Sequence, residues 1–391
     1  MSLADRRAVV VGGGVIGTWH ALDLVRAGFA VDHLEADGAP VGASVRNFGL
    51  VWVSGRASGA ELDAARRSRR RWQDVAAEVP GIGFRPTASL TVACREAERA
   101  VMESFARHPD AAARGITFLE PDEVKACNPA VAGDVEGALH CAEDAVVEPR
   151  EVPGALQTHL TTTAPDRYQF HPGRRVVALE PHTAVDARGT RWKGELVVVA
   201  TGAAYDHLSG TGAQAAQLRR VRLQMLETAP LTVRLTTSLA DADTLRYYPA
   251  YGAAPLARLG DQTPVAAQHH LQLLLVQRPD GALTIGDTHA YGEPFDFALA
   301  EDPSHELLAR AGRILGTPVP PVRRRWEGVY AQCRDGRVCL REELHPGVVM
   351  VTGPGGRGMT CAPAIAADTL EAAGIAPSAR PTASRRAPTL P

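Results

Sequence analysis

The chain has 391 residues, 45% of them apolar, and its 42 basic and 44 acidic side chains leave a formal net charge of −2. That length exceeds what one hydrophobic core serves, so at least two structural units are expected. The near balance of charge excludes a nucleic-acid surface as the main business, and no stretch reaches the ~20 apolar residues that cross a bilayer. A cytoplasmic protein with neither membrane nor nucleic-acid partners is expected, as a monomer or homodimer. The six cysteines, at 94, 127, 141, 333, 339 and 361, show no CxxC spacing. This predicts reduced thiols, with no metal site and no disulfide framework.

In chain order, AVVV (8–11) predicts a short buried strand, and residues 15–27 a helix closed by Gly28. A second strand follows at 29–37. Helices are expected at 60–79, 93–107, 121–126 and 149–163, with the Arg66–Arg71 run as a solvated face. RVVALE and then TRWKGELVVVATG read as strands, the last of them (196–200) buried on both faces. From 221 to 300 the pattern becomes strand-like with turn signals between, including Pro-Asp-Gly at 279–281. RRRWEGVYAQ (323–332) and VVMVTG (348–353) are further strands, and a helix is expected from about Ala362 to Ala373. The tail 376–391 is rich in Pro, Ala and Arg and is expected to be disordered.

Gly12-Gly13-Gly14-Val15-Ile16-Gly17 fits G-x-G-x-x-G between a strand and a helix. Gly12 permits the tight turn, Gly14 lets backbone approach a pyrophosphate, and Gly17 lets the helix pack close to the sheet. The helix start, through Val15 and Ile16, offers free N–H groups and a positive dipole end to phosphates. Glu35 ends the second strand, where an acid binds ribose hydroxyls and disfavours a 2′-phosphate. A dinucleotide site is expected, but this unit alone does not separate FAD from NAD.

Two later segments bear on that choice: ELVVVATGAA (195–204), with Thr201 and Gly202, and VVMVTGPGGRGMTCAPAIAADTL (348–370). With them the sequence resembles the FAD-dependent D-amino-acid oxidase, glycine oxidase and sarcosine oxidase superfamily over most of residues 6–375. The resemblance implies an α/β fold: a Rossmann-type FAD-binding domain plus a mixed, mostly antiparallel-sheet substrate domain. It implies FAD held non-covalently, with the C-terminal loop (Gly353, Gly355, Gly356, Arg357, Gly358, Met359, Thr360) near the flavin. GASVRNFGLV (42–51) matches a second FAD-contacting segment, which implies roles for Ser44, Arg46, Asn47, Phe48 and Gly49. Val176 matches a position whose backbone reads adenine. The expected FAD domain comprises 1–55, 145–220 and 325–375, and the substrate domain 56–144 and 221–324.

The likeness breaks where relatives carry a substrate-clamping arginine, because Tyr330 stands there and cannot form a bidentate cationic clamp. Gly328 occupies the place where sarcosine oxidases attach flavin to a cysteine. SVRNFG, TIGDTHAYG (284–292), WEGVY (326–330) and GPGGRGM (353–359) resemble one branch in particular, associated with breakdown of aminoalkylphosphonates. That implies a small-molecule amine substrate with an anionic group, and hydride transfer to flavin N5 followed by imine hydrolysis. Molecular oxygen or an electron carrier would reoxidise the flavin. Residues expected over the flavin are Arg46, Tyr248, Tyr251, His289, Tyr330 and Arg357, although packing is the ordinary role of a tyrosine and structure that of a lone histidine. Asp287 reads as a turn cap. The alternatives are an amino-acid oxidase of glycine or sarcosine type, a dehydrogenase passing electrons to a carrier, and a nucleotide-binding subunit that needs a partner.

Overall fold

The computed structural model describes residues 6–208 and 216–376. The tail from 377 onward and residues 1–5 lie outside the described residues. The apolar runs form two sheets. The first has six strands in the order Leu340–His345, Val348–Thr352, Leu196–Val199, Arg7–Val11, Ala30–Leu34 and Tyr168–His171. From Val348–Thr352 to Tyr168–His171 every pairing is parallel, and only the Leu340–His345 edge runs antiparallel. Val9, Val10, Val197 and Val198 are fully buried because helices or a second small sheet cover both faces, as parallel sheets require. The opening helix Val15–Arg26 packs there with Val152–Thr163 and Gly358–Ala372.

The second sheet has eight strands: Val322–Cys333, Leu218–Pro230, Ala282–Gly286, Leu274–Gln277, Ser238–Asp241, Ser89–Ala93, Gly137–Cys141 and Ile116–Leu119. All its pairings are antiparallel except Ser238–Asp241 against Ser89–Ala93. Leu90, Leu239, Leu275 and Ile285 bury one face under Leu307, Ala311 and Ile314 of the helix Asp302–Leu315. The mixed, mostly antiparallel second sheet expected from the sequence is present. Val322–Cys333 pairs along its length with Leu218–Pro230, Val221 facing Tyr330. The divisions expected near residues 220 and 325 therefore fall inside two neighbouring strands of the larger sheet.

The C-terminal helix begins at Gly358 rather than Ala362, although Pro363 lies inside it. Proline has no N–H to give the carbonyl four residues earlier. Here Trp72 Nε1–H donates to that carbonyl, Met359 O, at 3.0 Å, so the turn is satisfied from outside. Ser68 Oγ accepts the next N–H, from Ala364, at 3.0 Å. Both partners sit on the helix Ala60–Glu78. The arginine run on that helix is not a free solvated face. Arg66 pairs with Glu143, Arg67 with Asp368 and Arg71 with Asp23, so its charges brace the helix against three neighbours.

Candidate active site

Between the two sheets lies a cavity of about 820 Å³. One end is the glycine turn. Gly12 has φ +110°, and a Cβ there would meet Ala200 O at 2.4 Å. Gly14 caps the opening helix with no side chain, and its own Cβ would lie 2.9 Å from Ser44 Oγ. Ser44 Oγ accepts the Val15 N–H at 2.9 Å. Glu35 Oε2 accepts the Gly13 N–H at 2.7 Å, which sets its carboxylate beside the turn. Gly12, Gly14, Val15, Ile16, Glu35 and Val176 all line this end. Gly17 does not. It sits behind the turn, where a Cβ would come 1.9 Å from Gly12 O, so its role is packing.

The turn is held by a buried histidine. His33 Nε2–H donates to Gly12 O at 2.9 Å, and Nδ1 accepts the Tyr168 hydroxyl proton at 2.9 Å. Burial above all, and the nearby His171, lower the His33 pKa to about 4. His20, whose Nδ1–H donates to Ile16 O, is likewise lowered to about 4, mainly by burial. Both rings are neutral when folded, whereas the unfolded chain protonates them near pH 6.5. The unfolded state therefore binds more protons in that window. The stabilisation is intact above pH 6.5 and is lost as pH falls toward 4, at up to about 3 kcal/mol per histidine. The thermal midpoint should drop progressively from pH 6.5 to 4.5, and less steeply in His33→Gln. Parallel pH profiles for the two proteins would remove His33 as the cause.

Ser44, Arg46, Asn47 and Phe48 continue the lining. Asn47 organises its own loop, its Nδ2 donating to Ala43 O and Ser44 O while Oδ1 accepts the Gly49 N–H. Gly49 is a backbone requirement, with φ +76° and Val147 O 2.1 Å from where a Cβ would be. Arg46 donates to Val41 O and Glu327 O, which spends part of its guanidinium on backbone. Thr201 and Gly202 line the wall, and the buried Thr201 Oγ1 has no partner among the described residues. Gly355, Gly356, Arg357, Gly358, Met359 and Thr360 close the C-terminal side. Gly353 lies outside the lining, with φ +78° and Cys333 Sγ 2.7 Å from where its Cβ would be. Arg357 is committed: it pairs with the buried Glu61 at 2.8 Å and donates to Pro354 O, Gly336 O and Arg337 O. Its guanidinium ties the glycine loop to the helix Ala60–Glu78.

The other end of the cavity is aromatic. Tyr248, His289 and Tyr330 line it, joined by Tyr247 and Tyr291. The His289 ring stacks between Tyr247 at 5.8 Å and Tyr291 at 6.2 Å. Tyr330 reaches the C-terminal loop, its hydroxyl 3.7 Å from where a Gly356 Cβ would be. Tyr251 is placed elsewhere. It is 2% exposed, packs edge-on against Phe105 at 4.9 Å and is absent from the lining, because its short 3₁₀ turn (Pro249–Ala253) points it into the core.

Three site residues are not legible in the sequence. Asp287 is not a turn cap but a buried carboxyl, 7% exposed, on the cavity wall; burial foremost raises its pKa. Arg56, 4% exposed, also lines the cavity. Its guanidinium lies 5.4 Å from the Tyr248 ring and 3.7 Å from Glu61. Arg219 stands 4.2 Å over the Tyr291 ring and donates to Gln332 Oε1. Alternation along the strand that carries Arg219, Leu223 and Met225 is the one available signal. Among the described residues no group of three or more His, Cys, Asp or Glu is arranged to hold a metal, and no helix is long and apolar enough to cross a membrane.

A Rossmann-type sheet with a glycine turn, joined by a cavity to a second sheet, defines a dinucleotide-dependent enzyme of two-sheet type. The chain belongs to the DAO family of FAD dependent oxidoreductases, whose family profile matches residues 7–372. It is an FAD-dependent oxidoreductase, and the features of its cradle fit that cofactor: Gly12, where a Cβ would strike backbone, Gly14 without a side chain at the helix start, an acid beside the turn, and a Thr201 hydroxyl with no partner among the described residues. It is 26% identical over 361 residues to an opine oxidase subunit of Agrobacterium tumefaciens (strain Ach5), covering 88% of this chain and 86% of that protein. Against the opine oxidase subunit of the same name from Rhizobium meliloti the identity is 28% over 191 residues, 44% of this chain and about half (49%) of that protein. Glycine oxidase from Geobacillus kaustophilus shares the fold, with a TM-score of 0.74 at 20% identity over 94% of this chain and 95% of that one.

Proposed function

We propose that this chain oxidises a small primary or secondary amine that carries an anionic group. The observation that supports this reading is the continuous cavity that runs from the glycine turn to a pocket of Tyr247, Tyr248, His289, Tyr291 and Tyr330. Gly12, Gly14, Glu35, Ser44 and the loop Gly355–Thr360 would hold FAD. When bound, FAD supplies a hydride acceptor at flavin N5. Non-covalent attachment fits the absence of a side chain at Gly328 and the burial that pushes the Cys333 thiol up to about 11. The aromatic rings exclude water and orient the substrate's C–H bond. Arg56 donates through Nε to Trp52 O and Arg219 through Nε to Gln332 Oε1, and they suit the anionic group better than Arg357, all three of whose nitrogens donate within the protein. Within this class the motifs at 44–49, 284–292, 326–330 and 353–359 favour an aminoalkylphosphonate.

A second reading follows from the names of the two relatives. Each is by name one subunit of an opine oxidase, which supports an opine-like substrate and a requirement for a partner chain.

The test is anaerobic flavin bleaching with glycine, sarcosine, D-alanine, 2-aminoethylphosphonate and its N-methyl forms. Bleaching by the phosphonates is expected. Bleaching by glycine or D-alanine alone would move the substrate to the amino-acid class, and no bleaching by any amine would favour the partner-dependent reading. Peroxide formation on readmitting air separates an oxidase from a dehydrogenase that uses a carrier.

A further inference from the structure

The aromatic end of the cavity holds a buried carboxyl with an oxygen left unpartnered by the described residues. Asp287 follows the strand Ala282–Gly286 and is 7% exposed. Its backbone is fixed on both sides by Gln272, with the Asp287 N–H donating to Gln272 O at 2.8 Å and Asp287 O accepting from Gln272 N–H at 3.2 Å. Its side chain is not fixed in the same way. The Gln272 side chain acts on the carboxyl, working against the rise in pKa that burial causes, yet among the described residues Oδ1 has no hydrogen-bond partner, and Oδ2 lies 3.9 Å from His289 Nε2, beyond hydrogen-bond reach. Beside it Gln272, 3% exposed and also on the cavity wall, leaves its Oε1 unpartnered. A buried polar atom without a partner costs stability, and these two oxygens belong to residues on the cavity wall, where a ligand can complete them.

The chemistry of the missing ligand can be read from what surrounds it. Both unpartnered atoms are oxygens that accept, so the ligand must donate. The rings of Tyr247, Tyr248, Tyr291 and Tyr330 frame the same space, and π-faces favour a cation. The Asp287 charge reaches these tyrosines: after burial, it is among the causes that push up the hydroxyls of Tyr330, Tyr248 and Tyr291. His289 is oriented by its Nδ1–H, which donates to His270 O at 3.1 Å. Of the charged groups that line the cavity from other elements, Glu61 is paired with Arg357, Arg46 donates to backbone, and Arg56 and Arg219 stand against the Tyr248 and Tyr291 rings. Arg56 and Arg219 suit the opposite, anionic end of a small zwitterion.

We infer that Asp287 Oδ1 binds the substrate's ammonium N–H and takes one proton from it. This rests on the amine reading above. In the step one N–H bond breaks and one O–H bond forms on the carboxylate. The electron pair stays on nitrogen as the lone pair that amine oxidation needs, and the C–H bond is untouched.

Asp287→Asn keeps the shape and removes the charge. With the flavin-loaded protein, ammonium chloride serves as a probe that has N–H groups and no oxidisable carbon. Tetramethylammonium chloride at equal ionic strength is the control without N–H. In the native protein ammonium is expected to perturb the flavin spectrum saturably, and at least tenfold more tightly than tetramethylammonium. In Asp287→Asn ammonium should bind at least tenfold more weakly. With any amine that bleaches the native flavin, kcat/KM should fall roughly 100-fold as a proton acceptor is lost, and its acid limb should move. Flavin content should be unchanged and the thermal midpoint a few degrees higher, because an uncompensated buried charge is relieved. Equal ammonium affinity in the two proteins, or no ammonium binding in the native one, overturns the assignment. So does a lower midpoint with unchanged kcat/KM, the mark of a purely structural carboxyl. If no amine bleaches the native flavin yet ammonium binding still depends on Asp287, the amine reading fails and the subsite stands.

Discussion

Gly12→Val is expected to yield a protein without flavin. Gly12 sits at φ +110°, a conformation that costs a β-branched residue on the order of 1–3 kcal/mol before any contact is counted. The added Cβ would lie 2.4 Å from Ala200 O and 2.9 Å from Ala200 C, both backbone atoms at the end of a central strand. The turn has no room to shift. Its N–H donates to Leu34 O at 2.8 Å, and its carbonyl accepts from His33 at 2.9 Å. Relief must come from opening the turn, which withdraws backbone from the pyrophosphate position. Flavin affinity should fall by about 100-fold or more, equivalent to about 3 kcal/mol. The check is flavin absorbance relative to protein, followed by titration of the apoprotein with FAD. Gly38→Ala is the control, because nothing lies within 4 Å of its added Cβ. Native flavin content in Gly12→Val would show that the turn is not the cradle.

The second large effect is expected at Asp144, a carboxyl that no sequence motif singles out. It is fully buried. Oδ1 accepts the N–H groups of Val53 at 2.6 Å and Ser54 at 3.1 Å. Oδ2 accepts the hydroxyls of Ser54 and Ser89, both at 2.6 Å. This single side chain ties the segment after the Ser44–Gly49 loop to the strand Ser89–Ala93 of the larger sheet. Asp144→Ala leaves two buried amides without acceptors and opens a void, a loss of about 3–5 kcal/mol. Asp144→Asn should cost less, because its carbonyl oxygen can keep the two amides while the serine hydroxyls rotate to accept. Chemical denaturation of the flavin-loaded proteins measures both. A midpoint in Asp144→Ala equal to the native one would remove Asp144 from the structural core.

Much of the cofactor end can be read from residues alone. The glycine spacing at 12, 14 and 17 requires a turn between strand and helix, and Glu35 falls just past the second strand. These are local relations, set by backbone conformation over a few residues. The start of the C-terminal helix is less legible. Pro363 argues for a start near Ala362, whereas the helix reaches back to Gly358 because Trp72, 287 residues away in sequence from the carbonyl it serves, supplies the donor that proline lacks.

The aromatic end shows the limit more sharply. Tyr248 and Tyr251 look equivalent in Tyr-Pro-Ala-Tyr, yet one lines the cavity and the other packs on Phe105. Asp287 looks like a turn residue until Gln272, from a different segment, pins its backbone and leaves its carboxyl facing inward. Arg46 and Arg357 look like the anion site, but backbone carbonyls take up donors of both and Glu61 pairs with Arg357, while Arg56 and Arg219, which no motif singles out, also line the cavity. The sequence by itself determined the alternating strands, the nucleotide turn and the family. Only the tertiary structure decided which polar groups meet across the cavity. Side-chain direction in a loop depends on partners brought from far along the chain, and hydrogen-bond capacity is shared out only once those partners are in place.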